Sequence, residues 1–419
     1  MEVVIDCYFD KIFSEMERSS LLSRCKRRAL VDWFTAIIDG CARGEELEHT
    51  DVCERAVQAA LRYHNITLAE NGSICLLGKF HNVLYIAAKL CFDWKIKNND
   101  IVSRLLNDIY YCEKTFERIF IGAIFGTRVT HFLSGWKSDF KDREENIRAL
   151  IYFMDHANEG RLEYPTTQST EKCRFFDVSM ESYGHAVPIK VVVQLGAPDI
   201  LLLLLRYGAN LGGTGVNASV TPAQYPAQLV ACLRILLRTV PLVTVNTPGH
   251  IAVQSGVLTL PLYDQYPQLV SNNLVPPERS GVSPPELKHL CRCRIRDSLF
   301  KNWALPHGIK ELRIPQSLKD YLDLFGGDEL TPTPYCAVGY MLLRILIACV
   351  GMKNSFKAPR GKCERIEVIS TKHYWGNRTY SFMSIDNCIN QSSLPIELAT
   401  FFFVAGVHRL ISRSLTSET

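Results

Sequence analysis

The side chains best suited to chemistry in this chain lie close together at His289, Cys291 and Cys293. Imidazole and thiolate groups are the usual ligands of zinc, so this run is a candidate metal site. On a helix, however, positions 289 and 293 share a face, whereas position 291 lies away from both. No second Cys/His pair in the sequence stands at zinc-finger spacing. We therefore predict no metal at this run.

No other pattern in the sequence predicts catalysis. There is no phosphate-binding glycine loop, no Ser/His/Asp signature and no paired-carboxylate motif. The acidic pairs Glu45-Glu46 and Glu144-Glu145 are typical of solvated helix faces. We therefore expect a chain that is not an enzyme, with no catalytic residue and no cofactor.

The composition is that of a globular protein in a reducing compartment. A length of 419 residues, 47% of them hydrophobic, suffices for two or three domains. The net charge of +4 gives no reason to expect a nucleic-acid partner. The 15 cysteines are dispersed and odd in number, and Met1–Asp6 is acidic where a secretory leader is basic. We expect reduced thiols and a cytoplasmic or nuclear protein.

The cysteine-rich run belongs to a segment that reads as a capped helix. Ser283 is predicted to be the N-cap, and Glu286, three residues later, completes a capping box. Pro284 then takes the first helical position, where its missing N–H has no cost.

An apolar stripe runs along one face of this predicted helix. Its members stand at i, i+3, i+4 and i+8, and they are Leu287, Leu290, Cys291 and Ile295. The basic residues of the helix lie off the stripe, at Lys288, Arg292, Arg294 and Arg296. Taken alone, the stripe fits either the protein's own core or the surface of a partner.

Two further signals follow this helix. Pro306 and Gly308 predict a turn, and Leu312-Arg-Ile-Pro315 leads into a second amphipathic segment. That segment has apolar residues at i, i+3, i+4 and i+7, namely Leu318, Tyr321, Leu322 and Phe325. Pro315 is predicted at the first helical position and Gly326 as the helix stop.

The helix, the turn and the closing helix occur in an order that resembles a SOCS box over residues 283–325. The resemblance implies a three-helix domain whose stripe binds elongin C, with elongin B alongside, through Leu287, Leu290, Cys291 and Ile295. It also implies that a cullin is contacted by Leu312, Ile314 and Pro315. Arg313 replaces a proline of the family pattern, so the resemblance supports elongin binding more directly than the choice of cullin.

Residues 188–210 resemble one ankyrin repeat. A short helix is expected to end at Gly196, and a second to run from Pro198 to Gly208, because both glycines suit a left-handed stop. Lys190 stands where the repeat pattern has histidine. The alternative reading is a general array of helical hairpins.

Neighbouring repeats are predicted from spacing. Pro222 lies 34 positions after Pro188, near the period of about 33 residues in ankyrin repeats. Residues 227–238 would form the next outer helix, and residues 146–158 resemble the preceding one. The N-terminal helices have no repeat signature, with strong helical segments at 30–39, 83–92 and 116–125.

The predicted fold class is mainly α. Residues 1–140 are predicted to form a helical region, with diverged repeats as an open alternative, and residues 141–240 to form ankyrin-like repeats. A connector at 241–282 leads to a three-helix SOCS box at 283–325. Residues 326–419 are an extension of unknown fold. Within the extension, Tyr335–Gly351 is nearly apolar but shorter than the ~20 residues of a membrane span, with Arg344 at its middle. We therefore favour a buried helix there over a membrane anchor.

The whole order resembles the ankyrin repeat and SOCS box family. The resemblance implies a non-catalytic substrate receptor of an elongin–cullin–RING ubiquitin ligase, in which the repeats hold an unidentified protein substrate. Two rival functions remain open at this point. One is an ankyrin-type scaffold without a ligase role, and the other is an adaptor anchored to a membrane by the tail.

Overall fold

The computed structural model describes most of the chain up to residue 325 and two short strands beyond it. The described residues are 7, 21–45, 48–72, 81–133, 140–166, 172–209, 226–246, 259–325, 373–375 and 378–380. They are mainly helical, which confirms the predicted fold class. Tyr335–Gly351 and Gly326, to which the sequence assigned a buried helix and a helix stop, lie outside the described residues.

The N-terminal region is a series of helices that pack on their neighbours. Their bounds are α1 Leu21–Glu45, α2 His49–Glu70, α3 His81–Asp93, α4 Asn99–Glu113, α5 Glu117–Leu133 and α6 Arg143–Glu159. Helix α4 shows why they form, because Ile101, Leu105 and Ile109 recur every fourth residue and are all buried. Contacts join α1 to α2, α2 to α3, α3 to α4, and α5 to α6.

The ankyrin-like segment forms the helical hairpin that its prolines and glycines predict. Its helices are α7 Pro188–Leu195 and α8 Pro198–Arg206, and α9 Pro226–Leu237 packs next to α8. Gly196 has φ 64° and caps α7, which confirms the predicted stop. Helix α8 ends at Arg206, two residues before Gly208, whose φ of 87° provides the left-handed turn. Lys190 is fully buried in α7, and burial lowers its pKa to about 8.

Two strand pairs and three short helices connect these helices to each other and to the C-terminal domain. Strands β1 Glu163–Pro165 and β2 Lys172–Arg174 pair antiparallel between α6 and α7. Strands β3 Thr244–Asn246 and β4 Thr259–Pro261 pair in the same way after α9. The connector then continues through single helical turns, α10 Leu262–Gln265, α11 Gln268–Ser271 and α12 Pro277–Ser280.

The predicted three-helix box is present. Its helices are α13 Leu287–Lys301, α14 Gly308–Glu311 and α15 Gln316–Leu322. They share a small core of Leu305, Ile309 and Leu322, separate from the large core of the preceding helices. The box and the preceding helices belong to one compact unit.

A second unit contains the last two described strands. Strands β5 His373–Trp375 and β6 Arg378–Tyr380 form an antiparallel pair in this unit. None of the helices in the described part of the chain combines the length and the apolarity needed to cross a membrane.

Candidate protein-binding site

Helix α13 begins later than the capping pattern predicts. It starts at Leu287, and Glu286 is the N-cap residue, with φ −64° and ψ 140°, which is extended backbone. The predicted capping box is therefore wrong. The Glu286 carboxylate instead accepts a hydrogen bond from Arg279 Nη1 at 2.7 Å. Because Arg279 lies outside the predicted motif, the spacing of Ser283 and Glu286 could not reveal this competing partner.

The predicted apolar stripe faces solvent. Leu287 is 76% exposed, Leu290 39% and Ile295 36%. Cys291 lies between them and is also exposed. The structure thus brings all four predicted elongin-binding residues onto one uncovered face of α13. A rigid helix with a projecting leucine and a small neighbour is suited to a groove on another protein.

The opposite face of α13 is buried and polar. His289, Arg292 and Arg296 are 1%, 3% and 7% exposed. An amphipathic helix on a domain surface normally buries its apolar side, so the orientation of this one is reversed. Burying charged groups is costly unless they are hydrogen-bonded. The neighbouring elements must therefore supply acceptors for these side chains.

Arg296 is bonded to backbone carbonyls of two other helices. Its Nη1 donates to the Leu322 carbonyl of α15 at 2.8 Å. Its Nη2 donates to the Leu205 carbonyl of α8 and, at 3.4 Å, to that of Arg206. Burial lowers the pKa of Arg296 to about 10, so the guanidinium remains charged at neutral pH. One side chain therefore holds α13 against both the repeat and the end of the box.

His289 is held in one tautomer by its two hydrogen-bond partners. Its Nδ1 accepts a hydrogen bond from Arg292 Nη2 at 2.8 Å, because an arginine can only donate. Its Nε2 therefore carries the proton and donates to the Val240 carbonyl at 2.8 Å. Burial lowers the pKa of His289, and the Val240 bond only partly offsets this, so the ring is neutral near pH 7.

Cys293, one turn after His289, also contacts a backbone carbonyl. Cys293 Sγ lies 3.6 Å from the Thr239 carbonyl and 3.5 Å from His289 Nε2. Cys291 is on the solvent face, as the helical spacing predicts. Within the residues that the structure describes, no group of three or more His, Cys, Asp or Glu side chains could hold a metal ion.

Side chains of the repeat domain hold the end of the box. Arg206 makes a two-pronged ion pair with Asp323, with Nε–Oδ1 and Nη2–Oδ2 distances of 2.9 and 2.6 Å. Arg238 Nη1 donates to the Leu324 carbonyl at 2.8 Å. Tyr321 lies under Arg292, with 4.1 Å between the guanidinium carbon and the ring centroid. These contacts fix the third helix of the box on its first helix and on the repeats.

The segment between α13 and α14 is held in a similar way. Asn158 Nδ2 donates to the carbonyls of Trp303 and Leu305, each at 2.9 Å. The guanidinium of Arg174 stacks on the rings of Phe300 and Trp303, at 3.6 and 3.7 Å. Sequence reasoning missed these repeat-domain residues, because no local pattern marks a polar residue that pairs with a backbone more than a hundred positions away.

The three predicted cullin-binding residues lie on one loop, between α14 and α15. Leu312 and Ile314 are half-buried and pack on the small core of the box, whereas Pro315 is exposed. Pro315 is the N-cap residue of α15, with φ −55° and ψ 150°, so the predicted first helical position is wrong by one residue. Arg313 between them is exposed. The loop is thus separate in sequence from the stripe on α13.

Comparison with known proteins agrees with this geometry. A family model for the SOCS box matches residues 283–323. Relatives described as ankyrin repeat and SOCS box protein 17 are 28% identical in Canis lupus familiaris, 29% in Mus musculus and 28% in Homo sapiens, each over 153 residues. Each alignment covers 33% of this chain and 49% of the relative, so the chain spans about half the length of these curated relatives. No solved structure matches the chain.

The matched segment and the helices α13, α14 and α15 make this part of the chain similar to a SOCS box. Together with the relatives, they support the ankyrin repeat and SOCS box family, as the sequence predicted.

Proposed function

We propose that this chain is the substrate-recognition subunit of an elongin–cullin–RING ubiquitin ligase. The observation that carries the proposal is the reversed orientation of α13, which buries three polar side chains and leaves its apolar stripe in solvent. A stripe on the protein's own core would be buried, so this exposure favours a partner. The family resemblance, which the SOCS box match supports, implies elongin C with elongin B alongside, and this is the partner to test.

The stripe suits a helix-in-groove contact. Leu287 is its most exposed member and projects from the first turn, where it would fill a pocket on elongin C. Cys291 is small enough to allow close approach one turn later, and Leu290 and Ile295 would extend the contact. The buried arginines on the opposite face keep the helix from rotating the stripe inward, because each would lose its acceptors.

We place the cullin contact on the loop of Leu312, Ile314 and Pro315. The half-buried side chains of the first two would fix the loop, and the exposed Pro315 would meet the partner. We assign the RING subunit and its bound conjugating enzyme to the cullin. In this proposal the present chain does not itself transfer ubiquitin. Its role would be to raise the local concentration of a substrate's lysines near that enzyme.

We assign the unidentified protein substrate to the helical repeats. The bonds that join them to the box would hold the substrate at a set position relative to elongin C. The proposed compartment is the cytoplasm or the nucleus. Cysteines of the described residues are free thiols, which fits a reducing environment.

Affinity purification of the full chain followed by mass spectrometry tests the proposal. We expect elongin B, elongin C and a cullin to purify with the wild-type chain and to be lost from Leu287→Ala/Cys291→Ala. Leu318→Ala is a matched control, since Leu318 is 38% exposed in the box but lies on α15. Recovery of other partners without elongins would instead support a scaffold with no ligase role.

A further inference from the structure

Four polar side chains form a connected line between two N-terminal helices. Asp108 and Cys112 stand four residues apart on α4, and His64 and Asn65 are neighbours on α2. Residues four apart lie on the same helix face, so α4 presents both groups to α2. His64 is fully buried, and Cys112 is partly exposed.

The hydrogen bonds of this line define which atom carries each proton. Asn65 Nδ2 donates to Asp108 Oδ2 at 3.4 Å, because a carboxylate accepts. The amide oxygen of Asn65 therefore faces His64 Nδ1, 3.3 Å away, and accepts a hydrogen bond from the Nδ1–H group. His64 Nε2 is left with a lone pair. It lies 3.3 Å from Cys112 Sγ and accepts from the thiol.

This is the arrangement of a nucleophile, a base and a group that orients the base. We propose that Cys112 is a reactive thiol that is modified by soft carbon electrophiles, with His64 as its base. Cys112 lies in the last turn of α4, where the partial negative charge of the helix end disfavours a standing thiolate. Reactivity must therefore come from proton transfer to His64 during the reaction. The proposal does not depend on the ligase function.

The reaction with iodoacetamide, the probe chosen here, balances as a simple displacement. The sulfur of Cys112 forms a bond to the methylene carbon while the carbon–iodine bond breaks and iodide leaves with its electron pair. The thiol proton passes to His64 Nε2 and then to solvent. Asn65 keeps the ring in the correct tautomer, and the Asp108 carboxylate behind it favours the imidazolium that forms.

The full-length chain should be treated with iodoacetamide at neutral pH, and labelling followed at each cysteine by peptide mass spectrometry. Cys41 is the internal control, since it is also partly exposed but makes no hydrogen bond to another described residue. The buried Cys53 and Cys91 report unfolding. We expect Cys112 to react about tenfold faster than Cys41 or more. Equal rates in the folded wild-type protein would overturn the proposal.

His64→Gln keeps a polar side chain but removes the base. Cys112 should then react at the rate of Cys41, while Cys53 and Cys91 stay protected. An unchanged Cys112 rate in this folded variant would overturn the assignment of His64. If Cys53 and Cys91 become labelled, the His64→Gln variant is unfolded. The variant Asn65→Ala then tests whether His64 acts as the base. We expect Asn65→Ala to slow Cys112 severalfold without changing Cys41, and no slowing would count against the proposal.

Discussion

Arg294 and Arg296 stand two positions apart on α13 and have opposite environments. The Arg294 side chain is 82% exposed and, among the described residues, pairs with Asp297 on the surface. Arg296 is buried and donates to carbonyls of α8 and α15. The difference arises because residues two apart on a helix face opposite sides. The same chemistry therefore contributes little to stability at one position and much at the other.

Replacing Arg296 should lower the free energy of unfolding far more than replacing Arg294. Arg296→Met would leave the buried Leu322 carbonyl without a donor among the described residues, whereas the Leu205 carbonyl keeps the Gly208 N–H. We expect a cost of about 2 kcal/mol. Arg294→Met should change the free energy by less than about 0.5 kcal/mol. Urea denaturation of the full chain measures both. Equal effects of the two substitutions would contradict the reversed orientation of α13.

His307 gives the box a pH-dependent contact with the repeats. Its Nε2 donates to Asp155 Oδ1 at 2.7 Å, and this hydrogen bond raises the pKa of His307. A raised pKa means that the folded state binds the proton more tightly than the unfolded state. The contribution of this pair to stability is therefore complete below the unfolded pKa of about 6.5. It is lost as the pH rises through the folded value.

His307→Gln isolates this effect from other histidines. Burial lowers the pKa of His156 and His289, so their contributions have the opposite pH dependence and are common to both proteins. We expect the wild type to melt above His307→Gln near pH 6 and the gap to shrink toward pH 8. A melting-temperature gap that stays constant or widens with pH would contradict the Asp155 contact.

At the scale of elements, the loop between α14 and α15 has a geometry that accepts the family's proline. Ile314 N–H donates to the Leu312 carbonyl at 2.9 Å, closing a tight turn around Arg313. Leu312 has φ −63° and ψ 134°, the region that a residue before proline prefers. An arginine at this position therefore leaves the loop shape intact but restricts the unfolded chain less than proline would.

Arg313→Pro should strengthen cullin association by up to about 1 kcal/mol, or about fivefold in Kd, because less chain entropy is lost on ordering the loop. Elongin capture should not change, since the stripe lies on another helix. Titration of the purified elongin complex with a cullin N-terminal domain measures the first effect, and titration with elongins the second. Weaker cullin binding would mean that Arg313 makes a favourable contact.

The junction between α8 and the box depends on a glycine. Gly208 has φ 87°, and a β-carbon there would overlap the Phe300 ring. Gly208→Ala should therefore destabilise by about 2–4 kcal/mol, through backbone strain and overpacking together. Gly184→Ala is the control, with φ 63° and open space around it, and should cost about 1 kcal/mol. Thermal unfolding measures both variants. If Gly208→Ala and Gly184→Ala lower the stability by similar amounts, the junction at Gly208 is not tightly packed.

At the scale of the whole molecule, the order of helices, repeat and box followed from the sequence, but their attachment did not. Gly196, Pro198 and the stripe from Leu287 to Ile295 were readable because each depends on spacing along a few turns. The attachment depends on pairs distant in sequence, such as Arg206 with Asp323 and Asn158 with Trp303. The failed capping box has a more local cause, because Arg279, seven positions before Glu286, binds its carboxylate.

The attachment makes the repeats and the SOCS box one structural unit, which gives the proposed receptor its geometry. The polar face of α13 is fastened to α8, to α15 and to the Val240 carbonyl, so its apolar face must stay outward. The domain bounds themselves remain a prediction. We infer that this outward stripe captures elongin C.

Calorimetric titration of the purified full chain with elongin B–elongin C measures this binding. Leu287→Ala/Cys291→Ala should weaken binding by about 2 kcal/mol or more, some thirtyfold in Kd, because it removes the central apolar anchors. Leu318→Ala should bind like the wild type, and circular dichroism should show all three chains equally helical. Equal affinity of the double variant and the wild type would contradict the assignment of the stripe as the elongin C site.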